Sequence, residues 1–308
     1  MNRDLLSILD LSAAELEVLL GEAANLKMLR KAGRPHEFLK GKALAMVFEK
    51  ASTRTRISFE TGMYELGGHA LFLNPGDLQI GRGEEIRDTA RVMSRYVAGI
   101  MIRAYHHEHI EEFARWSSVP VINGLSDREH PCQIIADLMT IREHFGTLSG
   151  LRVAWVGDGN NVCNSLVLAS ALTGYELTVA SPVGFQPPGE VVDRARAEGG
   201  SVSLVRDPVD AVADAHVVVT DTWVSMGEES EKAERLKAFS GYTVTSALMR
   251  KAGPEAIFLH CLPAHRGQEV ADEVIEGPLS LVFDEAENRL HSQKALLVKL
   301  MGKEIRGA

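Results

Sequence analysis

Cysteine is scarce in this sequence: three residues in 308, Cys132, Cys163 and Cys261, none in a C-x-x-C pair. That spacing excludes a disulfide framework, a zinc ribbon and a thioredoxin-type dithiol, and it fits a reducing compartment. Long apolar runs are missing as well. Nothing approaches the ~20 residues of a membrane span, and Asp10 and Glu15 interrupt the N-terminal region before a signal peptide could form. The expectation is a cytoplasmic chain with no membrane partner. There is no basic excess: the formal net charge of −9 argues against coating nucleic acid, although local basic clusters can still build a positive pocket. The phosphate-cradling pattern G-x-x-x-x-G-K-[ST] occurs nowhere. No internal repeat of roughly 20–50 residues is visible, which sets aside a solenoid.

What is present is ordinary globular material, 45% apolar and 24% charged, long enough for two domains with separate cores. A capping box, Ser12-Ala13-Ala14-Glu15, opens a first helix. Leu16, Leu19, Leu20 and Leu26 then follow at helical spacing, and Gly33 stops the run. Beyond it, short apolar segments alternate with amphipathic helices. Strands are expected at 43–48, 70–73, 99–102 and 120–122, then at 151–156, 176–180, 201–205, 216–220, 256–260 and 281–283. Such alternation predicts parallel sheets built from βαβ units. A long helical pattern at 133–145 and a turn at 147–150 separate the two series. The expected fold is α/β: two open parallel-sheet lobes, residues 1–147 and 148–308, with the active site in the cleft between them. The last helix, about 286–301, is free to pack back on the first lobe.

In open parallel sheets ligands bind beyond the carboxyl ends of the strands, so polar clusters just after strands are the site candidates. Ser52-Thr53-Arg54-Thr55-Arg56 opens a helix after the first strand. Unpaired N–H groups, three hydroxyls and two guanidiniums suit a phosphate there; simple capping by Ser52 is the plainer alternative. Arg103 ends another strand, and His130-Pro131-Cys132-Gln133 sits at a helix start, where an imidazole and an amide could bond a carbonyl and an amino group. In the second series Asp221 precedes Ser225-Met226-Gly227 and could hold an ammonium group, or only cap a turn. His260-Cys261-Leu262-Pro263 offers a thiol that attacks, hydrogen-bonds or merely fills space. Gly157-Asp158-Gly159-Asn160-Asn161-Val162 imitates a dinucleotide fingerprint, but Val162 replaces the third glycine and no acidic residue ends the next strand. Those glycines read as turn formers bringing Asn161 to a ligand. His106-His107-Glu108-His109 reads as a solvated loop, since adjacent histidines rarely converge on one ion.

Taken in order, S-T-R-T-R at 52–56, H-P-C-Q at 130–133, D-G-N-N at 158–161, D-x-x-x-S-M-G at 221–227, H-C-L-P at 260–263 and E-N-R at 287–289 resemble the aspartate/ornithine transcarbamylase family, in its ornithine-type branch. The resemblance covers essentially the whole chain. It implies transfer of a carbamoyl group from carbamoyl phosphate to the side-chain amine of L-ornithine, in arginine biosynthesis, by a homotrimer without metal or organic cofactor. Ser52, Thr53, Arg54 and Thr55 would cradle the phosphate; Gln79, Arg103, His130 and Gln133 would address the carbamoyl end; Cys261, Leu262 and Arg289 would complete that site. Asn161, Asp221, Ser225 and Met226 would hold ornithine, and Arg103, His130, Cys261 and Asp221 would act in catalysis. The rival readings are a transcarbamylase for putrescine, an N-acylornithine or aspartate, an NAD-dependent oxidoreductase, and a silent binding protein on the same fold.

Overall fold

Strands buried on both faces need nearly continuous apolar sequence, and Ala43-Leu-Ala-Met-Val-Phe48 is such a run, with five of its six residues buried. The computed structural model describes residues 4–80, 83–224 and 229–302. Its first elements are α1 (Ala13–Lys31), β1 (Ala43–Phe48), α2 (Thr53–Glu65), β2 (His69–Leu73), α3 (Ile86–Met93), β3 (Gly99–Arg103), α4 (His107–Trp116), β4 (Val121–Leu125) and α5 (Pro131–Phe145). There follow β5 (Arg152–Val156), α6 (Asn161–Thr173), β6 (Glu176–Ala180), α7 (Gly189–Ala197), β7 (Ser201–Val205), α8 (Pro208–Val212) and β8 (Val217–Thr220). The last are α9 (Lys232–Ala238), α10 (Ser246–Met249), β9 (Ile257–His260), α11 (Asp272–Ile275) and α12 (Val282–Met301). Among the described residues no helix is long and apolar enough to cross a membrane.

The chain divides into two compact units, Met1–Met139 with Glu287–Ala308, and Thr140–Ala286. Both division points fall inside helices, α5 and α12. In the first unit four parallel strands run in the order β2-β1-β3-β4. Ala45, Val47, Ile100, Ile102 and Val121 pack there with Ile110 and Phe113 of α4. In the second, five parallel strands run in the order β7-β6-β5-β8-β9, over a core that includes Val156, Val218, Phe258 and Val274. Each sheet reverses its strand order once, between β1 and β3 and between β5 and β8. In doubly wound sheets that reversal is where a ligand crevice opens.

The capping box forms as expected: Glu15 N–H donates to Ser12 Oγ at 3.3 Å and Ser12 N–H to Glu15 Oε2 at 3.0 Å. Two expected strands differ. The apolar stretch 281–283 predicts a strand, but α12 begins at Val282. The chain meets the sheet at an isolated bridge between Ser280 and Phe258, where Phe258 N–H donates to the Leu279 carbonyl and Leu281 N–H to the Phe258 carbonyl. The strand expected at 120–122 runs Val121–Leu125. Asn123-Gly124 looks like a turn in sequence, yet Asn123 Nδ2 donates to the Leu6 carbonyl, and any Cβ at Gly124 would collide with Met101.

Candidate active site

In the first unit β1 delivers the chain to Ser52, whose extended backbone caps α2. Ser52 Oγ accepts from Thr55 N–H at 3.3 Å and donates to Thr55 Oγ1 at 3.2 Å. Thr55 Oγ1 also accepts from Arg289 Nη2 at 3.2 Å, so its acceptor positions are used and its hydrogen remains for donation. Arg289 Nη1 donates to Gln133 Oε1 at 2.6 Å, and Gln133 Nε2 donates to Asp137 Oδ1 at 2.8 Å, one turn further along α5. Thr55, Gln133, Asp137 and Arg289 are all buried. With the Gln293 amide oriented as its neighbours require, its oxygen accepts from Arg289 Nε at 3.0 Å and Nη2 at 3.1 Å, and its nitrogen donates to Ser58 Oγ at 2.6 Å.

His130 immediately precedes α5, and its carbonyl accepts from Gln133 N–H at 3.0 Å. Burial, and then the positive charges of Arg289, Arg103 and Arg54, push its imidazole well below the usual value. It is therefore neutral at pH 7, one N–H donor set among three guanidiniums. The half-site as a whole is cationic and dense in donors, which suits an oxyanion or phosphate.

The remaining first-unit expectations fall less centrally. Thr53 begins α2 and is exposed. Gln79 is exposed on a bend where its carbonyl accepts from Glu84 N–H at 3.1 Å. The sequence pattern offers Arg56 as a second guanidinium for the phosphate. Instead it pairs with Glu60 at 2.9 Å and lies 3.8 Å over the Phe72 ring. Residues two apart on a helix point to different faces, so Arg54 and Arg56 cannot share one anion.

In the second unit the site residues come from the segments just after β5, β8 and β9. Gly159 must lack a side chain, because a Cβ there would strike the Gln186–Pro187 backbone. Asn160 caps α6 through its Oδ1, which accepts from Val162 and Cys163 N–H. Its Nδ2 donates to Asp221 Oδ2 at 2.8 Å. The other oxygen, Asp221 Oδ1, accepts from Cys261 Sγ at 3.1 Å. Asn161 is the first residue of α6 and half-buried. Ser225 and Met226 lie outside the described residues.

Behind Cys261, His260 is fully buried. Leu262 N–H donates to His260 Nδ1 at 2.8 Å, so the ring proton sits on Nε2, which donates to Glu269 Oε1 at 3.3 Å. The His260 amide is held in turn by Glu285 Oε2 at 2.9 Å. Leu262 adopts a left-handed backbone, φ +58°. That conformation costs an L residue about 1 kcal/mol or more, and here the Leu262 N–H bond to His260 accompanies it. Ligand-type atoms of Asp221, His260 and Cys261 lie within 4.8 Å of one another. Both His260 nitrogens are engaged, which leaves a carboxylate and a thiol, too few donors for a structural zinc centre.

Asn160, Glu269 and Gln293 support the site although the sequence motifs give none of them a role. Gln293 was findable, since it follows Arg289 by one helical turn and so shares its face. Glu269 lies in an irregular segment with no motif and carried no signal. The 106–109 segment is the start of α4, not a loop: His107 is buried with Nδ1 2.8 Å from Ser126 Oγ, and His109 Nδ1 is 2.9 Å from Glu49 Oε1.

A family model described as the carbamoyl-P binding domain of aspartate/ornithine carbamoyltransferase matches residues 3–143. The corresponding Asp/Orn binding domain matches residues 149–300. The chain is 64% identical over 301 residues to the ornithine carbamoyltransferase of Methanoculleus marisnigri, covering 98% of this chain and 97% of that one. It is 60% identical to that of Methanocorpusculum labreanum, with 98% and 99% covered. Among solved structures, ornithine carbamoyltransferase from Pyrococcus furiosus superposes with a TM-score of 0.93 at 53% identity, covering 97% of this chain and 96% of that one. The Thermus thermophilus enzyme gives 0.89 at 44%, with 98% and 99% covered.

Proposed function

We propose that this chain, which belongs to the aspartate/ornithine carbamoyltransferase family, transfers the carbamoyl group of carbamoyl phosphate to the side-chain amine of L-ornithine, releasing L-citrulline and phosphate. One observation carries the reading: the two sheets hold complementary chemistry at their reversal points. One cluster is cationic and fits a phosphate donor, and the other pairs a carboxylate with a thiol and fits an amine acceptor.

The mechanism follows from those groups. Ser52, Thr53, Arg54 and Thr55 hold the phosphate at the start of α2, where N–H groups and helix dipole favour an anion. Arg103, neutral His130 and the Thr55 hydroxyl donate to the carbamoyl oxygen as attack builds negative charge on it. Gln133, Gln79, Arg289 and the Leu262 backbone orient the carbamoyl group. Asn161, Asp221, Ser225 and Met226 position ornithine. Its δ-amine has a solution pKa near lysine's ~10.4, so only about one molecule in a few thousand is neutral at pH 7. Asp221 and Cys261 favour the free amine and take its proton as the N–C bond forms and the C–O bond to phosphate breaks. The Asp221 carboxylate accepts hydrogen bonds from both Asn160 and Cys261, which fixes its orientation for that work.

No step needs a metal or organic cofactor. We also propose a cytoplasmic homotrimer working in arginine biosynthesis, supported by the family resemblance; light scattering should give about three times the 33.6 kDa chain mass. The defining assay measures ureido product from carbamoyl phosphate with ornithine, putrescine, N-acetylornithine and aspartate offered separately. Preference for ornithine is expected. A better rate with another amine keeps the donor half of the reading and discards the acceptor half.

A further inference from the structure

We infer that Arg235 is a positioning residue for the amine-acceptor half-site, an inference that rests on the proposed function. It lies on α9, after the segment that contains Ser225 and Met226. Its side chain is nonetheless buried. Nη1 donates to Asp158 Oδ2 at 2.9 Å and to the Trp223 carbonyl at 3.1 Å, while Nε donates to Glu231 Oε2 at 3.0 Å. The guanidinium carbon is 5.1 Å from the Phe185 ring centroid.

These partners are the roots of the acceptor site. Asp158 lies in the turn after β5, two residues before Asn160, and its carbonyl accepts from Trp155 Nε1 at 3.0 Å. Trp223 lies two residues after Asp221, and its indole stacks on Phe239 of the same unit at 5.3 Å. Two braces therefore join the post-β5 turn to the post-β8 segment. One is the Asn160–Asp221 bond within the proposed ornithine site. The other is one Arg235 nitrogen shared between Asp158 and Trp223. Phe185 supports the second brace from the loop that covers Gly159, whose N–H donates to the Phe185 carbonyl at 2.7 Å. A buried guanidinium is costly unless fully bonded. Here its bonds fix the spacing of the segments bearing Asp221, the carboxylate proposed to meet the amine, and Asn160, the amide that orients that carboxylate.

The test is a kinetic split. An Arg235→Lys variant keeps the charge but loses the planar fork, so it cannot reach Asp158, Trp223 and Glu231 together. Asp158→Asn keeps the shape and removes the charge, and leaves the bond from Trp155 to the residue 158 carbonyl intact. Both are expected to fold, judged by circular dichroism, and to raise KM for ornithine about tenfold, the scale of one charge-assisted hydrogen bond. KM for carbamoyl phosphate should stay within about twofold. The double variant should be no worse than the poorer single one. KM for ornithine within about twofold of wild type in both folded variants, or parallel rises in both KM values, overturns the inference. A wild-type chain that does not turn over ornithine overturns the functional reading, and this inference with it; an active wild type with unshifted variants overturns this inference alone.

Discussion

The two units are built on one plan and loaded with opposite chemistry. Each is a parallel sheet that reverses its strand order once, and each carries its candidate residues beside that reversal. The first gathers Arg54, Arg103 and Arg289 around a neutral His130. The second gathers Asp221, Cys261 and Asn160. Their support differs as well. Arg289 is held by side chains from α2, α5 and α12, separated from it by up to 234 positions in the sequence. The second set hangs on short segments directly after β5, β8 and β9. A shared backbone therefore decides where a ligand binds, and a few side chains decide which charge it bears.

The comparison breaks most visibly if substrates are not divided between the units. Arg103→Gln and Asp221→Asn should each lower turnover about a thousandfold, the scale of losing a transition-state donor or a proton acceptor. Arg103→Gln should raise KM for carbamoyl phosphate and Asp221→Asn that for ornithine. Steady-state kinetics with each substrate varied would expose the same KM rising in both. A smaller effect probes the first unit's long-range support. Gln293→Leu removes the one oxygen that accepts two hydrogen bonds from Arg289 and should lower kcat/KM for carbamoyl phosphate by about tenfold, with KM for ornithine within about twofold. A fall in Tm with unchanged kinetics would make Gln293 a packing residue only.

The smallest effect is on stability against pH. Burial is the leading cause that lowers the imidazoles of His107, His130 and His291, the last to about 4, and all three lie in the first unit. Unfolded, each takes up a proton near the ordinary pKa of ~6.5 while the folded form stays neutral. Their stabilising contribution is thus complete above about pH 6.5 and falls as the pH drops toward about 4, by a few kcal/mol at most for His291. Hydrogen exchange at pH 5 and pH 7 should show first-unit amides losing protection before those of the second. Equal loss in both, or earlier loss in the second, would remove this asymmetry.

Much of this could be read from the chain. The alternation of strands and helices, the capping box at Ser12 and the polar clusters after strands are local patterns, set by residues within a few positions of one another. What escaped were arrangements local pattern does not encode. The stretch 281–283 looks like a strand because it is apolar, but α12 begins there. Arg54 and Arg56 look alike until helical geometry sends one to Glu60 and Phe72. Glu269 and Arg235 matter through partners far along the chain, and neither sits in a motif. Gln293 is the exception among these, because helical periodicity suffices to set it beside Arg289 although no motif marks it.

The position of Arg289 also bears on how the protein is made. A ribosome emits the chain from its N-terminus, and early domains generally fold first. A nascent chain that has emerged through Met139 already contains Ser52, Thr55, His130 and Gln133, yet Arg289, which donates to both Gln133 and Thr55, has not been synthesised. On the proposed reading, the arginine that completes the donor half-site is therefore translated only after the whole second unit, even though its sheet is translated first.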